Sequence, residues 1–555
     1  MGLLALNRAD HLEKIKSESF DLVIIGGGIT GAGIALDAAS RGLKVGLVEK
    51  NDFASGTSNK STKLIHGGLR YLKQLEIGLV RETGTERAIV HRLAPHLVIP
   101  EKMLLPLIKD GTYGKFMTSI GLKVYDFLAD VKEDDRRRML DKAETLKKEP
   151  LLNGNIVLGS GLYAEFRTDD ARLTIEILKK AATYGATIVN YCEVESFNYS
   201  AENSKIETLN CIDHESQSPF KISAQQFVSA AGPWVDTLRK KDNSLKNKHL
   251  HLTKGVHIVF PFEKLPLKQS IYFDVSDGRM VFAIPRGRTT YVGTTDTNYY
   301  GSLNRVVAMK ADAQYLLNAV NSMFPAVQLN MDDIESNWAG LRPLIHEENK
   351  AASELSRKDE IFISKSGLIS IAGGKLTGYR KMAQRVVDTA IKYGFKNIEN
   401  KFGKSNTHKI ELVEPAFKNG DEVTVYKKKL CVILDEIGIT DKFWAWYLTT
   451  TYGKQATIIL DKSNNFNCED RLEAIIRAEL WFCINYEMVC SLSDFFVRRT
   501  GRLYFDLPSV KKYMDVILGD CVTLLKWTKD RAAAEKASMN LLIRDATTYY
   551  LEEFK

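Results

Sequence analysis

The sequence predicts an α/β fold with three parts: a Rossmann-like dinucleotide-binding domain, an antiparallel-sheet domain inserted into it, and a helical domain at the C-terminus. Three observations carry this. Residues 21–50, DLVIIGGGITGAGIALDAASRGLKVGLVEK, read as strand, glycine turn, helix, strand and acid. Residues 251–296 break into short strands with turn residues between them: HLTKGVHIVF, SIYFDV, MVFAIPRG and TTYVGTTDT. From residue 423 to 555 the signal is mainly helical, with Trp444, Trp446, Trp481 and Trp527 among many charges.

In the first stretch, residues 21–25 are apolar and rich in β-branched side chains, which suits a buried strand. Gly26-Gly27-Gly28-Ile29-Thr30-Gly31 satisfies G-x-G-x-x-G. Gly26 permits the tight turn, Gly28 lets backbone approach a pyrophosphate, and Gly31 lets the helix lie close on the strand. The helix N-terminus offers free N–H groups and partial positive charge to that pyrophosphate. Glu49 closes the second strand, where a carboxylate would accept hydrogen bonds from a ribose. Strand, turn and acid do not choose between NAD and FAD.

At 555 residues the chain is too long for one ordinary domain. Lys plus Arg number 77 against 69 Asp plus Glu, a net charge of +8, which suits an anionic substrate, membrane surface or nucleic acid without selecting one. The seven cysteines form no C-x-x-C pair and no zinc spacing, so neither a disulfide framework nor a metal site is expected. No run of eighteen apolar residues occurs, and the N-terminal apolar stretch is too short for a signal peptide. We expect a cytoplasmic protein, free or lying on the inner face of the cell membrane.

Along the chain, residues 51–68 form a polar loop dense in hydroxyls: Ser55, Thr57, Ser58, Ser61 and Thr62. Because it follows Glu49 directly, we read it as crossing the cofactor rather than as a plain surface loop. A helix is expected over 69–91, then strand and turn over 95–107. Residues 109–128 read as a core-facing helix, with a membrane-interface helix as the alternative. Residues 131–149 are densely charged and read as a solvated helix. A helix over 173–184 and a strand over 186–189 would add to the first sheet. A hairpin is expected around 200–204, then a strand over 227–231 ending in Gly232-Pro233-Trp234, and a helix over 310–324. A second strand–glycine–helix signal runs from 368 through Gly373-Gly374-Lys375-Leu376-Thr377 into a helix over 379–393. Residues 396–422 look like a linker. The expected division is 1–395 for the cofactor domain, with its substrate part roughly 96–155 and 248–335, and 423–555 for the helical domain.

Together these segments resemble the FAD-dependent glycerol-3-phosphate dehydrogenases of the aerobic, membrane-associated type, within the D-amino-acid-oxidase-like flavoproteins. The resemblance rests on GGGITGAGIALDAASRG (26–42), SNKSTKLIHGGLRYL (58–72), SAAGPWVD (229–236), VGTTDT (292–297), WAGLRPL (338–344), AGGKLTGYRKMA (372–383) and SDFFVRRTGRL (493–503). It implies FAD, held by Gly26, Gly28, Ile29, Thr30, Gly31 and Glu49. It adds Thr57, Ser58, Ser61, Lys63, Leu64 and His66 on the crossing segment, then Val194, Gly232, Gly374, Lys375, Leu376 and Thr377. It implies Arg70, Tyr71, His257, Arg342, Arg357 and Lys375 around substrate. Asn59-Lys60 departs from the smaller residues expected in that loop. The inserted segment typical of oxygen-using oxidases has no room here, which favours a quinone acceptor. A homo-oligomer is expected, and no nucleic-acid partner.

The implied reaction oxidises C2 of glycerol 3-phosphate by hydride transfer to the flavin. Arginine forks suit the phosphate, so Arg342 and Arg70 are expected to hold it, with Arg357 and Tyr71 assisting. His257 is the expected base, with His66 as the alternative. Lys375 is expected to stabilise developing negative charge. The rival readings are an amine, amino-acid or glycerophosphate oxidase using oxygen, and a flavin-bearing nucleic-acid-binding module.

Overall fold

The computed structural model describes residues 7–65, 77–109, 111, 137–202, 204–246, 248–346, 358–396 and 398–554. His66, Arg70, Tyr71 and Arg357 lie outside these residues, as does nearly all of the helix expected over 109–128. The elements that build the site are, in chain order, β1 (Ser19–Ile25), α1 (Ile29–Ser40), β2 (Val45–Val48), α2 (Asp170–Thr183), β3 (Ser218–Ser229), β4 (Leu250–Pro261), β5 (Thr289–Gly293), β6 (Ser336–Ile345), β7 (Ile369–Gly373) and α3 (Tyr379–Gly394).

The first sheet runs Asp359–Ile363, β7, β3, β1, β2, Thr187–Val189, and its centre is parallel. Its strands read as near-continuous apolar runs because both faces are covered. α1 is buried along most of its length between the sheet and its neighbours α2 and α3. Small residues make that possible: a Cβ on Gly33 would stand 2.9 Å from the Tyr379 ring. The outer half of β3 leaves the parallel layer and pairs with Ile206–Asp213, which pairs in turn with Cys192–Tyr199, giving the expected hairpin.

Among the described residues the second sheet has ten strands and is almost wholly antiparallel. β4 is its hinge: it pairs with β5 along one edge and with β6 over Leu250–Val259 along the other. The sheet continues through Met280–Arg286, Ser270–Asp274, Ile99–Ile108 and Val157–Arg167 to Leu64–Ile65. The segment that leaves the dinucleotide turn thus ends as a strand of the second sheet.

Two local readings change. Of the charged stretch expected as a helix over 131–149, residues 137–149 are described; among them Arg138–Asp141 form a strand and Lys142–Lys148 are helical. Asp141 caps that helix, accepting from the Glu144 N–H while Glu144 reaches back to the Asp141 N–H, so the helix begins there. Leu140 is buried as that strand pairs with Val157–Arg167. The polar stretch 396–422 is also packed rather than loose, with Phe402, Ile410, Leu412 and Val413 buried in the core of the first sheet.

The C-terminal part is helical from Gly420–Glu436 to Lys529–Thr547, interrupted by a π-helical turn, Asp494–Arg499. Its apolar core is continuous with one face of the second sheet. Val259, Tyr272, Tyr291 and Trp338 belong to the same cluster as Phe495, Tyr504 and Phe505.

Candidate active site

One cavity runs from the dinucleotide turn, under the crossing segment, to the β4–β6 pair. At its first end Gly26 takes φ +117°, and a Cβ there would sit 2.6 Å from the Ala230 carbonyl oxygen. At Gly31 a Cβ would sit 1.9 Å from the Gly26 carbonyl oxygen, so this glycine is required for the helix to start where it does. Gly28, Ile29 and Thr30 face the cavity, and the N-cap position of α1 is Gly28, which has no side chain of its own to cap the helix. The Ser58 hydroxyl accepts the Ile29 N–H at 2.9 Å, tying the crossing segment to the turn.

Glu49 lines the cavity at the end of β2, with Oε2 accepting the Gly27 N–H at 2.7 Å and Oε1 the Asn51 N–H at 2.9 Å. Burial pushes its carboxyl up, against the pull of those two N–H groups. Val194 and Gly232 line the same end. Thr57, Ser58, Ser61 and Leu64 face the cavity, and the Thr57 hydroxyl donates to the Leu341 carbonyl at 2.8 Å. Lys63 does not: its ammonium turns inward to Asp170 Oδ1, 2.5 Å away, in a buried pair. The hydroxyl-rich sequence gave no hint of this, because Asp170 lies more than a hundred residues away.

Gly373, Gly374, Leu376 and Thr377 also line the cavity. Both glycines have positive φ, +72° and +82°, and a Cβ on Gly374 would strike Met382. Lys375 lines the cavity just before the turn Leu376–Gly378 that leads into α3.

The far end is built by β4, β5 and β6. His257 lies flat on Trp338, with ring centroids 4.6 Å apart and 10° between planes. Its Nε2 is 3.0 Å from the Thr62 hydroxyl, and its buried Nδ1 has no hydrogen-bond partner among the described residues. Gly293 faces it on β5, where a Cβ would stand 2.1 Å from the ring. Burial, then Arg342 and Lys63, hold the imidazole well below the ordinary histidine range, so it is neutral at working pH. Two residues back, Gly255 makes room for the Arg342 guanidinium: a Cβ there would sit 2.5 Å from Nη2. Nη1 donates to the Thr295 carbonyl and to Asp296 Oδ1, both at 3.1 Å, and Nη2 to the Thr294 hydroxyl at 3.0 Å. Thr294 to Asp296 and Trp338 are parts the sequence reasoning quoted only as motif letters. The run of polar residues immediately after a buried strand was the available signal.

The family profile described as FAD dependent oxidoreductase matches residues 21–380, and a second, described as the C-terminal domain of alpha-glycerophosphate oxidase, matches 406–532. The chain belongs to the FAD-dependent oxidoreductases. An aerobic glycerol-3-phosphate dehydrogenase of Bacillus subtilis is 47% identical over 551 residues, covering 98% of each chain. One from Staphylococcus aureus is 47% identical over 546 residues, again 98% of each. Among solved structures, the glycerol-3-phosphate dehydrogenase of Bacillus halodurans complexed with FAD superposes with a TM-score of 0.82 at 39% identity, covering 98% of both chains. The FAD-bound L-alpha-glycerophosphate oxidase of Mycoplasma pneumoniae reaches 0.55 at 20% identity over 70% of this chain and 97% of its own, a likeness of fold.

FAD is therefore the cofactor of this family member, and the residues present fit it. The N-terminus of α1, where the Ser58 hydroxyl takes the Ile29 N–H, lines the cavity through Gly28, Ile29 and Thr30 and suits a phosphate; a Cβ on Gly28 would sit 3.1 Å from the Ser58 hydroxyl. Glu49 stands one strand over, and the second glycine loop lines the same cavity. Among the described residues no helix is long and apolar enough to cross a membrane.

Proposed function

We propose that this chain oxidises glycerol 3-phosphate at C2 to dihydroxyacetone phosphate and passes the two electrons through FAD to a membrane quinone. The observation that carries this reading is the placing of a neutral imidazole and a guanidinium side by side in the cofactor cavity. His257 and the glycine beneath Arg342 are two residues apart on β4, a step of about 6.6 Å along a strand.

FAD, when bound, supplies the hydride acceptor. The chain supplies orientation and charge. Arg342 holds the phosphate, its plane fixed by Thr294, Thr295 and Asp296. His257 accepts the C2 hydroxyl proton at Nε2, the nitrogen paired with the cavity-lining Thr62 hydroxyl. Its depressed basicity keeps that lone pair available, and Trp338 prevents the ring from turning away. Lys375 adds positive charge to the cavity lining, which favours an alkoxide. Arg70, Tyr71 and Arg357 remain in the proposal as further phosphate and substrate contacts, on the resemblance alone. A quinone acceptor, a peripheral membrane location and a homo-oligomer belong to the same proposal, on the resemblance alone.

Anaerobic mixing of the yellow holoenzyme with glycerol 3-phosphate tests it. The flavin band should bleach and recover on adding a quinone. Bleaching only with an amine or amino acid overturns the substrate. Rapid recovery in oxygen with stoichiometric peroxide, but none with quinone, overturns the acceptor.

A further inference from the structure

The loop between β2 and the turn Thr57–Asn59 is shared between two domains. On one side it serves the cavity, which Asn51, Ser55 and Gly56 line. Phe53 is fully buried against Gly27, and the Ala54 N–H donates to the Gly27 carbonyl at 3.1 Å. On the other side the loop is held by the C-terminal domain through Asp52. That carboxylate is buried and receives a two-pronged guanidinium: Arg499 Nη2 to Oδ1 at 2.9 Å and Nη1 to Oδ2 at 2.8 Å. Arg498 Nε donates to Oδ2 as well, and Asn190 Nδ2 to Oδ1 at 3.1 Å. Arg499 is itself completely buried and anchored to the Glu487 carbonyl. Burial alone would push the Asp52 carboxyl up; Arg499, then Arg498, hold it below the usual range instead.

The same segment grips the substrate end. The Ser336 hydroxyl on β6 donates to the Tyr504 carbonyl at 2.6 Å, and the Tyr504 and Phe505 rings pack behind Trp338 at 5.3 and 5.5 Å. A stretch of thirteen residues, 494–506, therefore touches the loop under the dinucleotide turn and the tryptophan that carries His257. A domain attached only as an accessory would bury its charges against itself. Here two of its arginines are committed to one carboxylate of the cofactor loop, an arrangement that leaves buried charge uncompensated if either side is removed.

We propose that Arg499, with Arg498, is a positioning residue for FAD. By fixing Asp52 the C-terminal domain sets the shape of the loop beneath the dinucleotide turn, and with it the affinity for the cofactor. This rests on the family assignment of FAD, not on the substrate, so it survives or fails independently of the glycerol 3-phosphate reading.

The test compares Arg499→Lys with Arg305→Lys. Arg305 pairs with Asp545 across the same domain boundary but touches no residue of the loop 51–56. FAD is stripped from each holoenzyme and rebinding is titrated by flavin fluorescence, with thermal unfolding of the stripped protein measured alongside. Arg499→Lys should weaken FAD binding at least tenfold and alter the visible circular dichroism of the bound flavin. Arg305→Lys should do neither at an equal loss of thermal midpoint. Arg498→Lys, at the less buried position, should fold and weaken FAD about threefold, so a non-folding Arg499 variant leaves the test intact. Asp52→Asn combined with Arg499→Lys should be no worse than either alone. FAD affinity within twofold of wild type in the Arg498 and Arg499 variants, or an equal fall in the Arg305 variant, overturns the proposal.

Discussion

The two ends of the cavity are built by opposite means. At the cofactor end the first sheet works through backbone: glycines bring main chain close, and α1 starts from a glycine at the cavity wall. At the substrate end the second sheet works through side chains, and each is held by several others. His257 is fixed by Trp338, Thr62 and the space over Gly293; Arg342 by Thr294, Thr295, Asp296 and the space over Gly255. A backbone site tolerates no added atom. A side-chain site tolerates change in graded steps and fails in one function at a time.

That contrast is broken or sharpened by separating cofactor affinity from turnover. The largest effect belongs to Gly31→Val. With a Cβ 1.9 Å from the Gly26 carbonyl oxygen, the turn must open, and the purified variant should carry no flavin absorbance and no activity. Retention of FAD would show that the turn yields more than its geometry implies. His257→Asn comes next: kcat should fall by about 10²–10⁴, with FAD affinity unchanged. The direction of its basicity sets the pH profile. A depressed pKa means the neutral, active form persists as pH falls through about 6.5, so the wild-type acid limb lies below that value and the Asn variant loses it. An acid limb in kcat above about 7 would exclude His257 as the base.

Arg342→Ala should act on substrate alone. Removing one partner of a partly buried charge pair costs on the order of 2–5 kcal/mol, a loss of roughly 30- to 4000-fold in kcat/KM. KM should rise and the flavin spectrum stay as it was. A loss of FAD in this variant would mean that the two ends are not separable, and that the Thr57–Leu341 bond passes damage from β6 to the crossing segment.

The same contrast explains what could be read from the sequence. A backbone site leaves its mark in consecutive letters, so the turn 26–31, Glu49 and the loop at Gly373 were legible, as were both sheets and the helical tail. A side-chain site depends on pairs that meet only when the chain closes. Asp52 and Arg499 are 447 residues apart, and Thr62 and His257 are 195 apart. Composition and periodicity carry no record of such pairs, so the C-terminal domain read only as helical although it shares the core beneath Trp338. The misread helix at 138–141 differs in kind. Its correction was present in the letters, since Asp141 and Glu144 have capping-box spacing and mark the helix start. Three consecutive arginines before it drew the reading towards a solvated helix.

The smallest predicted effect concerns stability and lies outside the cavity lining, where His96 packs against Phe417. His96 is buried, with neither ring nitrogen hydrogen-bonded among the described residues. Burial, then the charges of Arg172 and Lys179, push it down to about 3. Its folded pKa is below its unfolded value, so the unfolded chain takes up the proton first as pH falls. Stability is therefore full above about 6.5 and is lost steadily as pH drops from there towards about 3. Between about pH 7.5 and about pH 5.5 this one group should cost about 1.4 kcal/mol. His257, neutral for the same reason, adds a loss of the same sign. In His96→Phe the fall in thermal midpoint between those two pH values should shrink by that share, whatever the substitution does to the midpoint at neutral pH. A pH dependence identical to wild type would mean that a buried water or a shift of the ring satisfies His96.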